Sequence, residues 1–377
     1  MLSHEGQVKI GTRRNCMERK LRFAVIGAGR FAEECQIPGL QRHANAEVVA
    51  LCRRNRDLCE QTALKFGVPK VYTDYADVLA DDTIDAVTIV TPNVFHYPIA
   101  IEALQAGKHV FCEKPLAMNA SEAREMYDIA EACGKIHQVA FTFRYTHCLY
   151  KLRQMFKNGK IGKPLYVRVQ CDGWSALQSS ATAAWRNQKS LSGTGILGDM
   201  GSHFFDAIRW VCGDITQVCG VLHNVPRVRP HASTGEPTPI DTDDLAAAWF
   251  EIASGLKGQF FVSSITPPRP ENKYIEVVGE EGVLFAYLSR GQEEGLRFRH
   301  RDGDWETIDL PPEAAEGKPH ALGRMMGCFV DGILRGKLNS DRDPSFFDGW
   351  KAQSAIDAVV ESTEQKRWIE IGNGKND

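Results

Sequence analysis

The chain is 377 residues long and 43% hydrophobic, and its 45 basic and 48 acidic residues leave a net charge of −3. That length exceeds one comfortable core and suffices for two domains. Balanced charge without a dense basic run argues against nucleic acid or an anionic membrane surface as partner and leaves small molecules.

Residues 1–20 are polar, carry several Arg and Lys, and lack the apolar core of a signal peptide; they read as a disordered leader. No later apolar run is long enough to cross a bilayer. The eleven cysteines are scattered, with no CxxC spacing, which fits a reducing cytoplasm better than a disulfide framework. No HxxxH, HxH or paired-cysteine spacing suggests a metal.

From Leu21, short apolar runs alternate with helical segments: "LRFAVIG", "AEVVALC", "AVTIVTP", "HVFCEKP" and "IHQVAFTF". Continuous rather than alternating apolarity indicates strands buried on both faces, as in a parallel sheet covered by helices. Two intervening helical stretches end at Gly107-Lys108 and Gly134-Lys135, where glycine suits a left-handed C-cap and lysine the helix dipole. Asn119 or Ser121 suits the N-cap of the second. Residues 21–143 are therefore expected to form a doubly wound α/β domain.

Residues 144–377 read differently. "PLYVRVQ", "LAAAWFEI", "LKGQFFVSSI", "KYIEVVG", "VLFAYL" and "LRFRH" alternate partially, as half-buried antiparallel strands do. An α+β domain with a large open, mainly antiparallel sheet is expected. "PRVRPHASTGEPTPIDTDD" reads as a long surface loop. Two helical stretches, "ALGRMMGCFVDGILRG" and "FDGWKAQSAIDAVVESTEQ", and a short strand "RWIEI" close the chain.

In "GAGRFA", Gly27, Gly29 and Ala32 match G-x-G-x-x-G/A between a buried strand and a helix. The first glycine permits the tight turn, the second lets backbone approach a pyrophosphate, and the small third residue lets helix and strand pack. A dinucleotide is the expected ligand. At the end of the second strand, where an NAD site usually carries an acid, the sequence reads "ALCRRNRD", with Arg53 in that position followed by Arg54. Paired guanidinium donors suit a 2′-phosphate, so NADP is favoured over NAD; the alternative is a solvated loop with Asp57 or another polar atom serving NAD.

Two further segments carry chemistry. In "HVFCEKPL", Lys114 stands at a strand's carboxyl end, where ligands of open α/β sheets bind, although lysine and proline also end strands for solubility. In "GTGILGDMGSHFFDAIRW", Asp199 and His203 are four residues apart, on one face of a helix. His203 suits a general base held by a carboxylate; a plain helix-stabilising pair is the alternative. Asp206 either orients His203 or caps a surface turn.

Together the "VIGAGRFA" turn, "TPNVFHYPIAIEALQAGKHVFCEKPLA", "FTFRY", "WRNQKSLSGTGILGDMGSHFFD" and "PSFFDG" resemble the Gfo/Idh/MocA oxidoreductases from Leu21 to Ile371. The resemblance implies an N-terminal Rossmann domain and a C-terminal domain whose open sheet forms homodimers or homotetramers. It implies that His203 is the base, Lys114 polarises the reacting oxygen and Asp199 binds or orients substrate. Cofactor contacts would come from Gly27, Gly29, Arg30, Phe31, Arg53, Arg54, Thr91, Pro92, Asn93, His96, Glu113, Lys114 and Arg144; Trp185 and Arg186 would face substrate. The implied activity is hydride transfer between a nicotinamide and a hydroxyl or carbonyl carbon of a sugar or polyol. A carbonyl reductase of an anhydrosugar or diketone-like compound is the alternative within enzymes. A non-catalytic dinucleotide or sugar sensor ranks below both, because Lys114, Asp199 and His203 are all present.

Overall fold

The computed structural model describes residues 19–178, 180–268, 270–288 and 293–372, the side chains of 315–320 excepted. The leader expected over residues 1–20 thus lies outside the described residues, apart from Arg19 and Lys20.

The first half is built on six parallel strands: β1 (Leu21–Ile26), β2 (Ala46–Cys52), β3 (Lys70–Tyr72), β4 (Ala86–Ile89), β5 (His109–Cys112) and β6 (His137–Val139). Their order is β3-β2-β1-β4-β5-β6, the doubly wound arrangement in which strand order reverses beside β1 and opens a crevice at the carboxyl ends. The continuous apolar runs explain why: β4 and the last four residues of β1 are buried on both faces. Helices α1 (Ile37–Gln41), α2 (Arg56–Phe66), α3 (Tyr75–Leu79), α4 (His96–Gln105) and α5 (Ala120–Ala132) cover the sheet.

Local signals act as their chemistry requires. Asn119 caps α5 by accepting from the Glu122 amide at 2.9 Å, and Gly107 and Gly134 take positive φ after α4 and α5. Lys108 departs from its expected role at the dipole. It is buried, and its Nζ donates to the carbonyls of Asp81 and Ile84, both at 2.9 Å.

The second half begins with α6 (His147–Lys157) and contains β7 (Pro164–Asp172), the short α7 (Lys189–Ser192), α8 (Ser202–Cys212) and β8 (Ile215–His223). The hairpin β9 (Arg227–Pro230) and β10 (Pro237–Ile240) occupies the segment expected to be one surface loop. Its prolines fit because two-stranded ribbons leave edge positions that need no amide. Then come β11 (Leu245–Ile252), β12 (Lys257–Ser263), β13 (Lys273–Gly279), β14 (Gly282–Leu288), β15 (Glu294–His300) and β16 (Trp305–Thr307). Helices α9 (Gly317–Arg335) and α10 (Phe346–Gln365) and strand β17 (Ile369–Glu370) complete the chain. The nine-stranded sheet runs β16-β15-β14-β13-β7-β12-β11-β8-β17, antiparallel except for β7 with β12. Strand β8 carries Gly220 and polar residues in place of an obvious apolar run and is not evident in the sequence.

Two packing features place the site. Helix α9 returns to the first half: Phe329 meets the edges of Phe23 at 6.2 Å and Phe111 at 5.5 Å, within a core shared by β1, β5 and α9. Helix α10 packs against both α5 and β8 and so bridges the two sheets.

Candidate active site

The glycine turn is built as its motif demands. Gly27 has φ +94°, and a Cβ there would lie 2.7 Å from the Val90 carbonyl, so only glycine fits between β1 and β4. Around Gly29 the nearest protein atom to such a Cβ is 3.9 Å away; the bare backbone faces open space, as a site receiving a pyrophosphate needs. These residues, Arg30 and Phe31 form one wall of a cleft of about 590 Å³. Arg53 stands at the end of β2 with Nη1 3.4 Å from the Ala28 carbonyl, beside the turn, and Arg54 is exposed. The residues present therefore fit a dinucleotide.

Lys114 leaves the end of β5 into the same cleft, its side chain only 14% exposed. Its Nζ donates to the Asp199 carboxylate at 2.6 Å and to the Asp199 carbonyl at 2.7 Å. The lysine charge, followed by burial working in the opposite sense and then by Arg186, holds the Asp199 carboxyl well below the usual carboxylate range. Asp199 is thus a fixed anion.

Asp199 sits in a π-helical turn, Leu197–Gly201, that runs into α8. This departs from the regular helix expected, and such turns recur at functional sites. The turn is anchored by Asp243, whose carboxylate accepts from the amides of Gly195 at 2.5 Å and Leu197 at 2.8 Å. A Cβ on Gly195 would fall 2.0 Å from the Asp243 carbonyl, which accounts for the glycine-rich approach. His203 follows on the first turn of α8, 7% exposed, lining the cleft with its ring stacked on Phe143 at 4.6 Å and edge-on to Phe141 at 6.1 Å. Aromatic contacts on two sides fix its plane.

Trp185 and Arg186 also line the cleft, from the turn Trp185–Asn187, with the guanidinium 4.3 Å from the indole centre. Thr91, Asn93 and Glu113 line the cleft near Lys114. Asn93 Nδ2 donates to the Ser192 carbonyl at 2.8 Å, and Glu113 accepts from Gln36 at 2.7 Å.

Arg53 and Arg54 are not among the residues lining the cleft, and three further expected cofactor residues behave differently. Pro92 begins the turn Asn93–Phe95 and is not among the residues lining the cleft. His96 borders it, but its two ring nitrogens lie 2.9 Å from the Pro115 carbonyl and 3.0 Å from that of Thr91. Burial pushes its pKa down to about 4, and a neutral ring has one N–H, which can donate to only one of the two carbonyls; the ring packs between the loop after β4 and the turn holding Lys114. Arg144 is the correction. It is buried at 2% exposure and grips Asp206 through Nε at 2.9 Å and Nη2 at 2.6 Å, and Asp348 at 2.8 Å. Its Nε and Nη2 are committed to two carboxylates, and it is not among the residues lining the cleft. The same contacts answer for Asp206, which neither orients His203 nor caps a surface turn.

Glu34, Val90, Ala140, Thr142 and Met200 also line the cleft. The rule that ligands bind beyond strand carboxyl ends points to Val90, Ala140 and Thr142, just past β4 and β6; nothing in the local sequence distinguishes Glu34 or Met200.

Residues 21–141 match the family described as Oxidoreductase family, NAD-binding Rossmann fold, and residues 149–285 match the GFO/IDH/MocA C-terminal domain. Levoglucosan dehydrogenase of Pseudarthrobacter phenanthrenivorans is 31% identical over 351 residues, 85% of this chain and 88% of that one. The chain belongs to the Gfo/Idh/MocA oxidoreductase family. Within it, scyllo-inositol 2-dehydrogenase (NAD(+)) of Bacillus subtilis is 30% identical over 73% of this chain and 76% of its own. A solved structure of levoglucosan dehydrogenase in complex with NADH superposes with a TM-score of 0.84 at 27% identity, covering 94% of this chain and all of that one. The Rossmann sheet and the mainly antiparallel second sheet are those expected of a member. Among the described residues, no group of three or more His, Cys, Asp or Glu could hold a metal ion, and no helix is long and apolar enough to cross a membrane.

Arg144→Ala is expected to leave Asp206 without its bidentate partner and cost roughly 3–5 kcal/mol, as breaking a buried ion pair does, measured by urea unfolding. Dinucleotide affinity of the folded variant should stay within about threefold of wild type; a larger loss would return Arg144 to the cofactor site.

Proposed function

We propose that the protein is an NADP-preferring dehydrogenase acting on a hydroxyl-bearing carbon of a sugar or polyol. The observation that carries this reading is the joining of Lys114 and Asp199 at 2.6 Å in one cleft with His203 and the glycine turn. The relatives named as levoglucosan and scyllo-inositol dehydrogenases support it; so does D-glucoside 3-dehydrogenase of Escherichia coli, 33% identical over 62% of this chain and 68% of its own.

The bound nicotinamide would supply a hydride acceptor or donor. His203 takes the hydroxyl proton as the hydride leaves the same carbon, in a plane set by Phe143 and Phe141. Lys114, aimed by Asp199, places positive charge at the reacting oxygen and stabilises the alkoxide character that develops there. Trp185 offers an indole face to the sugar ring.

The preference for NADP rests on Arg53 and Arg54. The open sheet face supports a homodimer or homotetramer: Val221 on β8 and Trp249 on β11 are 52% and 50% exposed, beside Tyr166 whose ring lies 6.2 Å from Trp249. An exposed, aromatic-bearing sheet face suits a second copy of this chain.

Lys114→Ala and His203→Ala are each expected to lower turnover by about two or more orders of magnitude with dinucleotide still bound, read by steady-state rates across a sugar and polyol panel. Near-normal turnover in both would remove the mechanism. Wild-type kcat/KM should be higher with NADP than with NAD, and Arg53→Asp should reverse that order; equal or better use of NAD by wild type would defeat the arginine argument. In sedimentation velocity the wild type should run as a dimer or tetramer and Trp249→Asp as a smaller species. A monomeric wild type would refute the interface.

A further inference from the structure

Away from the cleft, where α6, α9 and the loop before α10 meet, two arginines converge without an ion-pair partner among the described residues. Arg324, on α9, has Nη1 3.1 Å from Nε2 and 3.4 Å from Nδ1 of His147, the first residue of α6. Arg342 lies 4.3 Å over the ring of Tyr150 and 5.7 Å over that of Tyr145. The Nε and Nη2 atoms of Arg324 and the Nε of Arg342 are buried and meet no hydrogen-bond acceptor. Neither guanidinium stands in an ion pair among the described residues. Burial, and then the charge of Arg342, press the Arg324 guanidinium below its ordinary pKa, while Glu294 offsets part of this. The Glu294 carboxylate itself accepts from the Cys148 amide at 2.7 Å.

Which donors are left over decides the ligand. Nε–H and Nη2–H form the side-on edge of a guanidinium, two parallel donors spaced for two oxygens of one phosphate or carboxylate. Buried donors of a charged group are costly to leave unmatched. Water would satisfy the N–H groups and Glu294 offsets part of the charge, whereas a divalent oxyanion would answer both the donors and the charge that remains. We infer that Arg324 and Arg342 form a phosphate-binding site at the seam between the two halves, separate from the dinucleotide cleft. Phosphate, free or carried by a sugar, is the ligand class. Its position gives it a route to the cleft: Tyr145, beneath Arg342, shares the turn Thr142–Tyr145 with Phe143, on which His203 stacks.

Calorimetric titration of the NADP-saturated enzyme with inorganic phosphate, glucose 6-phosphate and glucose tests this site, since the bound dinucleotide blocks its own phosphate positions. Phosphate or the sugar phosphate should bind wild type, glucose should leave the seam unaffected, and the better of the two ligands tells whether the phosphate is free or sugar-borne. Arg324→Lys, which keeps charge but removes the fork, should weaken binding at least tenfold, and so should Arg342→Gln. Should one variant fail to fold, the other carries the comparison. No uptake of either phosphate by wild type, or unchanged affinity in the folded variants, would overturn the site whatever the outcome for the proposed dehydrogenase activity.

Discussion

The Lys114–Asp199 pair is the contact on which the arrangement of the cleft depends. It joins the end of a buried parallel strand to a π-turn in the other half of the chain, and both partners are charged. At an effective dielectric of 20, two unit charges 4 Å apart attract by about 4 kcal/mol, but removing a lysine from water costs a comparable amount. The pair therefore contributes little net stability and much geometry. It sets where the ammonium points, keeps Asp199 ionised, and places α8 so that His203 reaches the same space.

Around that contact the protein spends rigid elements on side-chain orientation. Asp243 anchors the two amides that open the π-turn, and Arg144 locks α8 to the start of α10 through Asp206 and Asp348. His96 packs between the loop after β4 and Pro115. Each is a buried or partly buried polar group whose donors or acceptors meet another segment of the chain. Such satisfaction is demanded of buried charge, and here it produces a cleft wall assembled from several segments that hold one another in place.

Much of the frame was legible from residue order. The run "AEVVALC" became β2 with the bounds read from it, because a strand buried on both faces has no polar face to blur its ends. The glycine turn, Lys114, Asp199 and His203 were legible because backbone sterics and acid–base chemistry restrict those positions to few residue types. Strand β3 and strand β8 were not: the first is three residues long, and the second draws its stability from pairing with β11 and from α10 lying across it. The hairpin β9–β10 was hidden by prolines that ordinarily mark loops.

Arg144 shows where local reading ends. The family resemblance implied a cofactor contact for Arg144, and nothing within ten residues of it says otherwise. Its partners, Asp206 and Asp348, lie 62 and 204 residues away. By itself the sequence determined the doubly wound sheet, the glycine turn and the chemical types at the cleft, since these follow from periodicity and from steric limits on neighbouring residues. Only the tertiary structure decided which charges face the ligand and which face one another. That choice depends on distances between segments remote in sequence and on the cost of burying a charge without a partner.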